Sequence, residues 1–188
     1  MVNEQLQNAG RIAHDIGLAT WFGGQIFGKA ALNPVVGVID DEPTRGKVVN
    51  SGWFSFNPIG AAGLLVGGVV HVVARRTEVA DRRLRPVERQ LARGQDVLLA
   101  TSAVLTAATA VQGMRLSRQA PEGAVPVKTG RKPSPQTPEK AARLLRSVNT
   151  LGTGSILSGA GLLTMNALLD RVAFTDPPRR RLLSRSRI

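Results

Sequence analysis

The chain has 188 residues, with 25 Lys and Arg against 13 Asp and Glu, a net charge of +12 and no cysteine. The missing cysteine excludes a disulfide framework, a thiol nucleophile and any Cys-ligated metal or iron–sulfur site, and two histidines leave little for a His-based one. An apolar content of 43% is too high for a disordered basic tail, and the mean hydropathy of -0.02 resembles a soluble protein only because charge and apolarity are segregated along the chain.

Four long stretches carry almost no charge, and each approaches the about 20 apolar helical residues that a bilayer core of ~30 Å requires. They place membrane spans near 10–32, 57–75, 96–115 and 147–171, rich in Gly, Ala, Ser and Thr as closely packed membrane helices are. The expected fold is all-α, a four-transmembrane-helix bundle with basic connecting segments, in a membrane domain over 1–175. The N-terminal sequence lacks the basic and compact apolar regions of a removable signal, so the first span is expected to stay in the mature protein.

The first span is the most informative. At 100° per residue, His14, Leu18, Trp21, Phe22, Gln25 and Lys29 fall on one quadrant. His14, Trp21, Gln25 and Lys29 are the candidate ligand-binding residues, lining an interior. Beside them Gly17, Gly24 and Gly28 form a face for close helix contact, and Ile12, Ile16 and Phe27 suit lipid. Lys29 lies one turn before Asn33-Pro34, where the helix is expected to end, so snorkelling to the interface is its expected posture. Asp40, Asp41 and Glu42 read as a solvated carboxylate cluster on the following loop.

Trp53, Phe54 and Phe56 read as interfacial anchors before Asn57-Pro58, which opens the second span. Gly63 and Gly67 extend a small-residue stripe along it, and His71 sits near its far interface. The next segment carries seven Arg between 75 and 93 and suits a surface helix broken at Pro86. In the third span Gln112 is a candidate for the interior. Residues 116–136, with several prolines and few large apolar side chains, form a Pro-rich flexible loop, extended or disordered. Thr137-Pro138-Glu139 reads as an N-cap, a first-turn proline and a first-turn acid, starting a helix that runs into the fourth span. In that span Asn166 and Asp170 are placed to share a hydrogen-bonded patch. Residues 176–188 form a basic C-terminal tail.

The charges orient the helices. The Arg-rich second loop and the tail favour the inside, and the acidic first loop the outside. Long loops cross largely regardless of charge, so the third loop is assigned outside. The expectation is a multi-pass protein of the inner membrane of a cell with both termini cytoplasmic. Arg75, Arg76, Arg82, Arg83, Arg179, Arg180 and Arg181 would then contact anionic lipid headgroups. The preference for Arg over Lys, with abundant Ala, Gly and Val, suggests a high-GC bacterium.

The segment GLATWFGGQIFGKAALNP, then Asn50 and Asn57-Pro58, resembles small four-helix integral membrane proteins of the anthrone-oxygenase-like group, most of them uncharacterised. The resemblance covers about the first seventy residues, and the Arg-rich second and Pro-rich third loops depart from that group's compact layout. It carries over no catalytic residue.

No P-loop, nucleophile elbow, zinc-protease motif or intramembrane acidic pair is present, so no catalytic residue, metal site or cofactor is assigned. The leading expectation is a non-enzymatic accessory or scaffold protein contacting membrane partners, as a homo-oligomer or with another protein, and anionic lipid. The alternative is a small membrane enzyme or carrier holding an apolar ligand, a quinone, polyketide or lipid, inside the bundle. Nucleic acid is not an expected partner, because no aromatic residue stands within the Arg-rich loops.

Overall fold

Helix starts in this chain follow from local chemistry. Asp41 accepts a hydrogen bond from the Thr44 backbone N–H at 2.9 Å and caps α3 (Glu42–Arg76), with Pro43 in a first turn that has no need of its N–H. Glu88 reaches back to the Arg85 backbone N–H at 2.9 Å, and Pro86 opens α4 (Pro86–Ser117). The computed structural model describes residues 2–77, 80 and 84–175. About 85% of the chain is helical and the fold is all-α, its four long helices being α1 (Val2–Phe27), α3, α4 and α5 (Glu139–Thr175). A small antiparallel hairpin, β1 (Val127–Thr129) with β2 (Lys132–Pro133), is the one sheet among the described residues.

The helices form two antiparallel pairs. α1 lies along α3 and α4 along α5, while the pairs touch each other sparsely. Small residues set the first contact: a Cβ on Gly17 would come within 2.5 Å of the Gly63 carbonyl oxygen, and one on Gly67 within 2.8 Å of Leu18. Ring faces of Phe56 and Trp53 fill the space left by Gly24 and Gly28. The second pair is tied by buried hydroxyls, Ser102 to Ser158 at 2.9 Å and Thr106 to Ser155 at 3.1 Å. Leu18, Trp21, Leu64 and Leu162 form the central apolar cluster where the pairs meet.

Several boundaries differ from the sequence reading, each for a physical reason. The first helix does not stop at Asn33-Pro34. It widens into a π-helical turn (Gly28–Leu32), continues as α2 (Asn33–Val35) and ends in a 3₁₀ turn (Val36–Val38). Asn57-Pro58 does not open the second span, because α3 begins fifteen residues earlier at its Asp41 cap and runs through Pro58. Asp41 is therefore a cap rather than a member of a solvated cluster. Pro86 starts a helix instead of breaking one, and Trp53 and Phe56 pack against α1 glycines instead of anchoring an interface.

Residues 116–136 are not an extended loop. The end of α4, a 3₁₀ turn (Pro121–Gly123) and the hairpin fold over one end of the bundle, burying Val125 and Val127 against Leu116, Ala141 and Leu145. Thr137 does not cap α5 with its side chain, since its hydroxyl donates to the Pro126 carbonyl and accepts from the Ser134 N–H at 2.8 Å. The continuous helix from this point into the last span is present as α5. The tail at 176–188 lies outside the described residues.

Two helices, α3 and α4, are long and apolar enough to cross a membrane by length and composition. In their most apolar windows only 22% and 11% of residues are buried, so neither resembles the central helix of a soluble core. α1 includes Arg11, Asp15 and Gln25 along its length, and α5 includes Arg146, Asn149 and Asp170.

Candidate functional site

Where the two helix pairs diverge beneath the folded cap, they enclose a cavity of about 90 Å³. Its lining is unusual for a helix interior: Gln25, Lys29, Asn33, Asn50, Asn57 and Asn149 all face it, with Trp53 and Thr106 beside them. Lys29 is the one charged residue of the lining and no acid contributes to it.

Each wall has a local cause. The π turn carries Lys29, and its Nζ crosses to α5, donating to the Asn149 carbonyl at 2.8 Å and to the Thr153 hydroxyl. Lys29 thus turns inward and does not snorkel. Asn33 is held by both termini of its amide environment: its Oδ1 accepts from Trp53 Nε1 at 2.9 Å, and its carbonyl accepts from the Gly130 N–H at 2.8 Å. Asn50 donates to the Gly123 carbonyl at 2.7 Å and Asn149 Nδ2 to the Gly130 and Arg131 carbonyls at 3.4 and 3.3 Å, so the cap is stitched to α3 and α5 by amides. Arg131 lies over the same corner and donates to the Lys29 carbonyl from Nε at 3.0 Å and Nη2 at 2.6 Å.

Gln25 is different from these. It is 6% exposed, faces the cavity, and its side chain has no hydrogen-bond partner among the described residues. The Asn57 side chain likewise has none. A buried amide normally has its hydrogen bonds satisfied, and leaving them unmade costs about 1–3 kcal/mol. Gln25 is buried and Asn57 half-buried, and both open onto the cavity with amides free to meet polar atoms there.

The chain matches no protein-family model, no curated protein and no solved structure.

The four candidate ligand-binding residues, His14, Trp21, Gln25 and Lys29, are thus divided by the structure. Gln25 and Lys29 line the cavity. Trp21 is 1% exposed in the core, and its Nε1 donates to Thr106 Oγ1 at 3.1 Å, one step behind the cavity wall. His14 lies at the opposite end of the bundle. There its ring stacks on His71 with centroids 6.4 Å apart, and His14 Nδ1 is 2.9 Å from Asp15 Oδ1. His71 is buried among the helices, and its Nε2 is 2.7 Å from Asp96 Oδ1. Arg75, expected among lipid headgroups, instead donates to both Asp96 oxygens, from Nε at 3.0 and 3.1 Å and from Nη2 at 3.0 Å. This string of side chains cross-ties α1, α3 and α4. Arg76 is exposed, and Arg82, Arg83, Arg179, Arg180 and Arg181 lie outside the described residues.

Asn166 pairs with Gln95 of α4 rather than with Asp170, and Gln112 buries its Oε1 without a partner among the described residues. The polar cavity residues that the sequence reading did not place in the interior include Asn33, Asn50, Asn57, Asn149 and Thr106. Amides inside otherwise uncharged stretches were the available signal, because each must find a partner or a cavity once buried.

Proposed function

We propose that this chain is a multi-pass membrane protein whose four long helices all cross the bilayer, and that it binds a small ligand through polar groups in the cavity between them. The observation that carries the ligand reading is Gln25, a residue only 6% exposed whose amide opens onto the cavity and makes no hydrogen bond to the described residues. The membrane reading is supported by the inside-out distribution of polarity. Large apolar side chains are exposed on every long helix, including Ile16 on α1, Leu65 on α3, Val104 on α4 and Leu157 on α5, each more than 60% exposed. Serines and amides are buried instead, as in membrane bundles where close packing and interhelical hydrogen bonds replace the hydrophobic drive. The resemblance of the first seventy residues to the anthrone-oxygenase-like group is compatible with a ligand held between helices, and an apolar part of the ligand would meet Val49, Leu116, Leu145, Val148 and Ile156 in the lining.

The direct test compares the wild type with Gly113→Leu, whose added side chain starts in open space beside the cavity, since nothing lies within 4 Å of a Cβ there. Small molecules extracted from detergent-purified protein are quantified by mass spectrometry. The expected result is a near-stoichiometric compound in the wild type that falls at least fivefold in Gly113→Leu at unchanged helicity, a loss of about 1 kcal/mol or more in binding. Equal content in both proteins, or none in either, sinks the ligand reading and leaves the non-enzymatic accessory or scaffold role.

A further inference from the structure

Resting on that reading, the cavity's charge names the chemistry of its ligand. Lys29 is an ammonium with three donors, two of them used on Asn149 and Thr153, which leaves one for the cavity. Arg131 sits on the Lys29 backbone, so two cations share one corner of the bundle. Neither has a carboxylate partner among the described residues. On the hairpin that carries Arg131, the exposed Lys128 and Lys132 have none either. Of the acids at this end, Asp41 accepts from Thr44 and Glu122 pairs with Lys47, and none of them lines the cavity. Lys29 is half-buried and Arg131 exposed, so the two together set up a positive potential at this corner of the cavity that attracts an anion.

The unsatisfied groups agree with this. Gln25 and Asn57 also line the cavity, and the NH₂ of each amide offers two donors. A neutral hydroxyl or carbonyl ligand would use one or two of these donors and leave the cations uncompensated. An oxyanion accepts from all of them and neutralises the corner. We infer that the cavity binds an oxyanion, a phosphate or carboxylate group, gripped by Lys29, Gln25 and Asn57 and attracted by Arg131. Both a free anion and the head of an acidic lipid offer that group.

The experiment uses the full chain in phosphatidylcholine nanodiscs and reads tryptophan fluorescence, since Trp53 lines the cavity. Inorganic phosphate, acetate and its neutral isostere acetamide are titrated in turn, and a parallel sample contains phosphatidic acid in the disc. Phosphate or acetate is expected to change the emission saturably and acetamide is not. Lys29→Met is expected to weaken anion binding by about tenfold or more, consistent with a charge-assisted hydrogen bond. Lys29→Arg should retain it, and the exposed Arg131→Gln should weaken it while flattening its salt dependence. Saturation by free phosphate or acetate identifies a soluble anion, and a response to phosphatidic acid alone identifies a lipid head; either supports the inference. Acetamide binding as tightly as acetate overturns the oxyanion while leaving a polar cavity intact. So does an undiminished response in Lys29→Met. Silence toward every anion, with the phosphatidic acid disc unchanged, overturns it as well, and a compound still displaced by Gly113→Leu would show that the cavity reading survives.

Discussion

Asp41 holds the first turn of α3 by accepting from the Thr44 hydroxyl and from its backbone N–H, and these two hydrogen bonds keep its carboxyl below the ordinary range. A carboxylate whose pKa is depressed by folding contributes stability above its unfolded value, and that contribution is lost as pH falls through the folded value. The cap should therefore weaken only in acid, below the usual carboxylate range, and Asp41→Ala should remove that part of the pH dependence. Thermal unfolding in detergent from neutral to acid pH checks it: the wild type should lose more of its midpoint than the variant, and parallel curves would refute the assignment. At this scale the sequence was partly legible. Gln25 and Lys29 were readable because one helix face repeats at a fixed angle. Asn57, Asn149 and Thr106 were not, because they reach the cavity from helices whose rotation only the assembled bundle determines. The acid at position 41 was misread because three neighbouring carboxylates look alike until one of them meets a helix start.

Among the elements, the contact between α1 and α3 is the most constrained. Gly17 and Gly63 face each other so closely that a Cβ on either would lie 2.5 or 2.6 Å from the other's carbonyl oxygen. Gly63→Ala should therefore push the helices apart and destabilise the protein by about 1–3 kcal/mol, the usual cost of overpacking. Gly23→Ala and Gly68→Ala meet nothing within 4 Å, so the same substitution there should be neutral or gain about 0.5–1 kcal/mol of helix preference. Unfolding midpoints of the set in one detergent separate the two classes, and equal losses at all positions would show that close approach is not what these glycines provide. Helix identity was legible from the uncharged stretches, but helix ends were not. Pro34 and Pro58 looked like boundaries, yet the chain passes both, at the first by widening into a π turn that places Lys29. The cap was illegible because its order depends on two valines, Val125 and Val127, finding a site made by α4 and α5.

For the molecule as a whole, the polarity of its surface divides it into an apolar belt, a folded cap and an opposite end rich in arginine. The absence of cysteine makes the arrangement directly testable. Single cysteines at Glu122 in the cap and at Thr77 beyond α3 stand at opposite ends of the long helices. With the termini inside, a membrane-impermeant maleimide should label Glu122→Cys in intact cells and reach Thr77→Cys only after lysis. The reverse pattern inverts the topology, and labelling of both in intact cells contradicts a bundle that spans the membrane.

The two helix pairs also prescribe an order of assembly. α1 and α3 are neighbours along the chain, as are α4 and α5, so each pair completes its own seam from local contacts, glycines in one and hydroxyls in the other. The cavity draws its walls from both pairs and from the cap, and it exists only after they unite. The proposed ligand would then act as a clasp between two separately built halves, and a growing shortage of it would show first as halves that part.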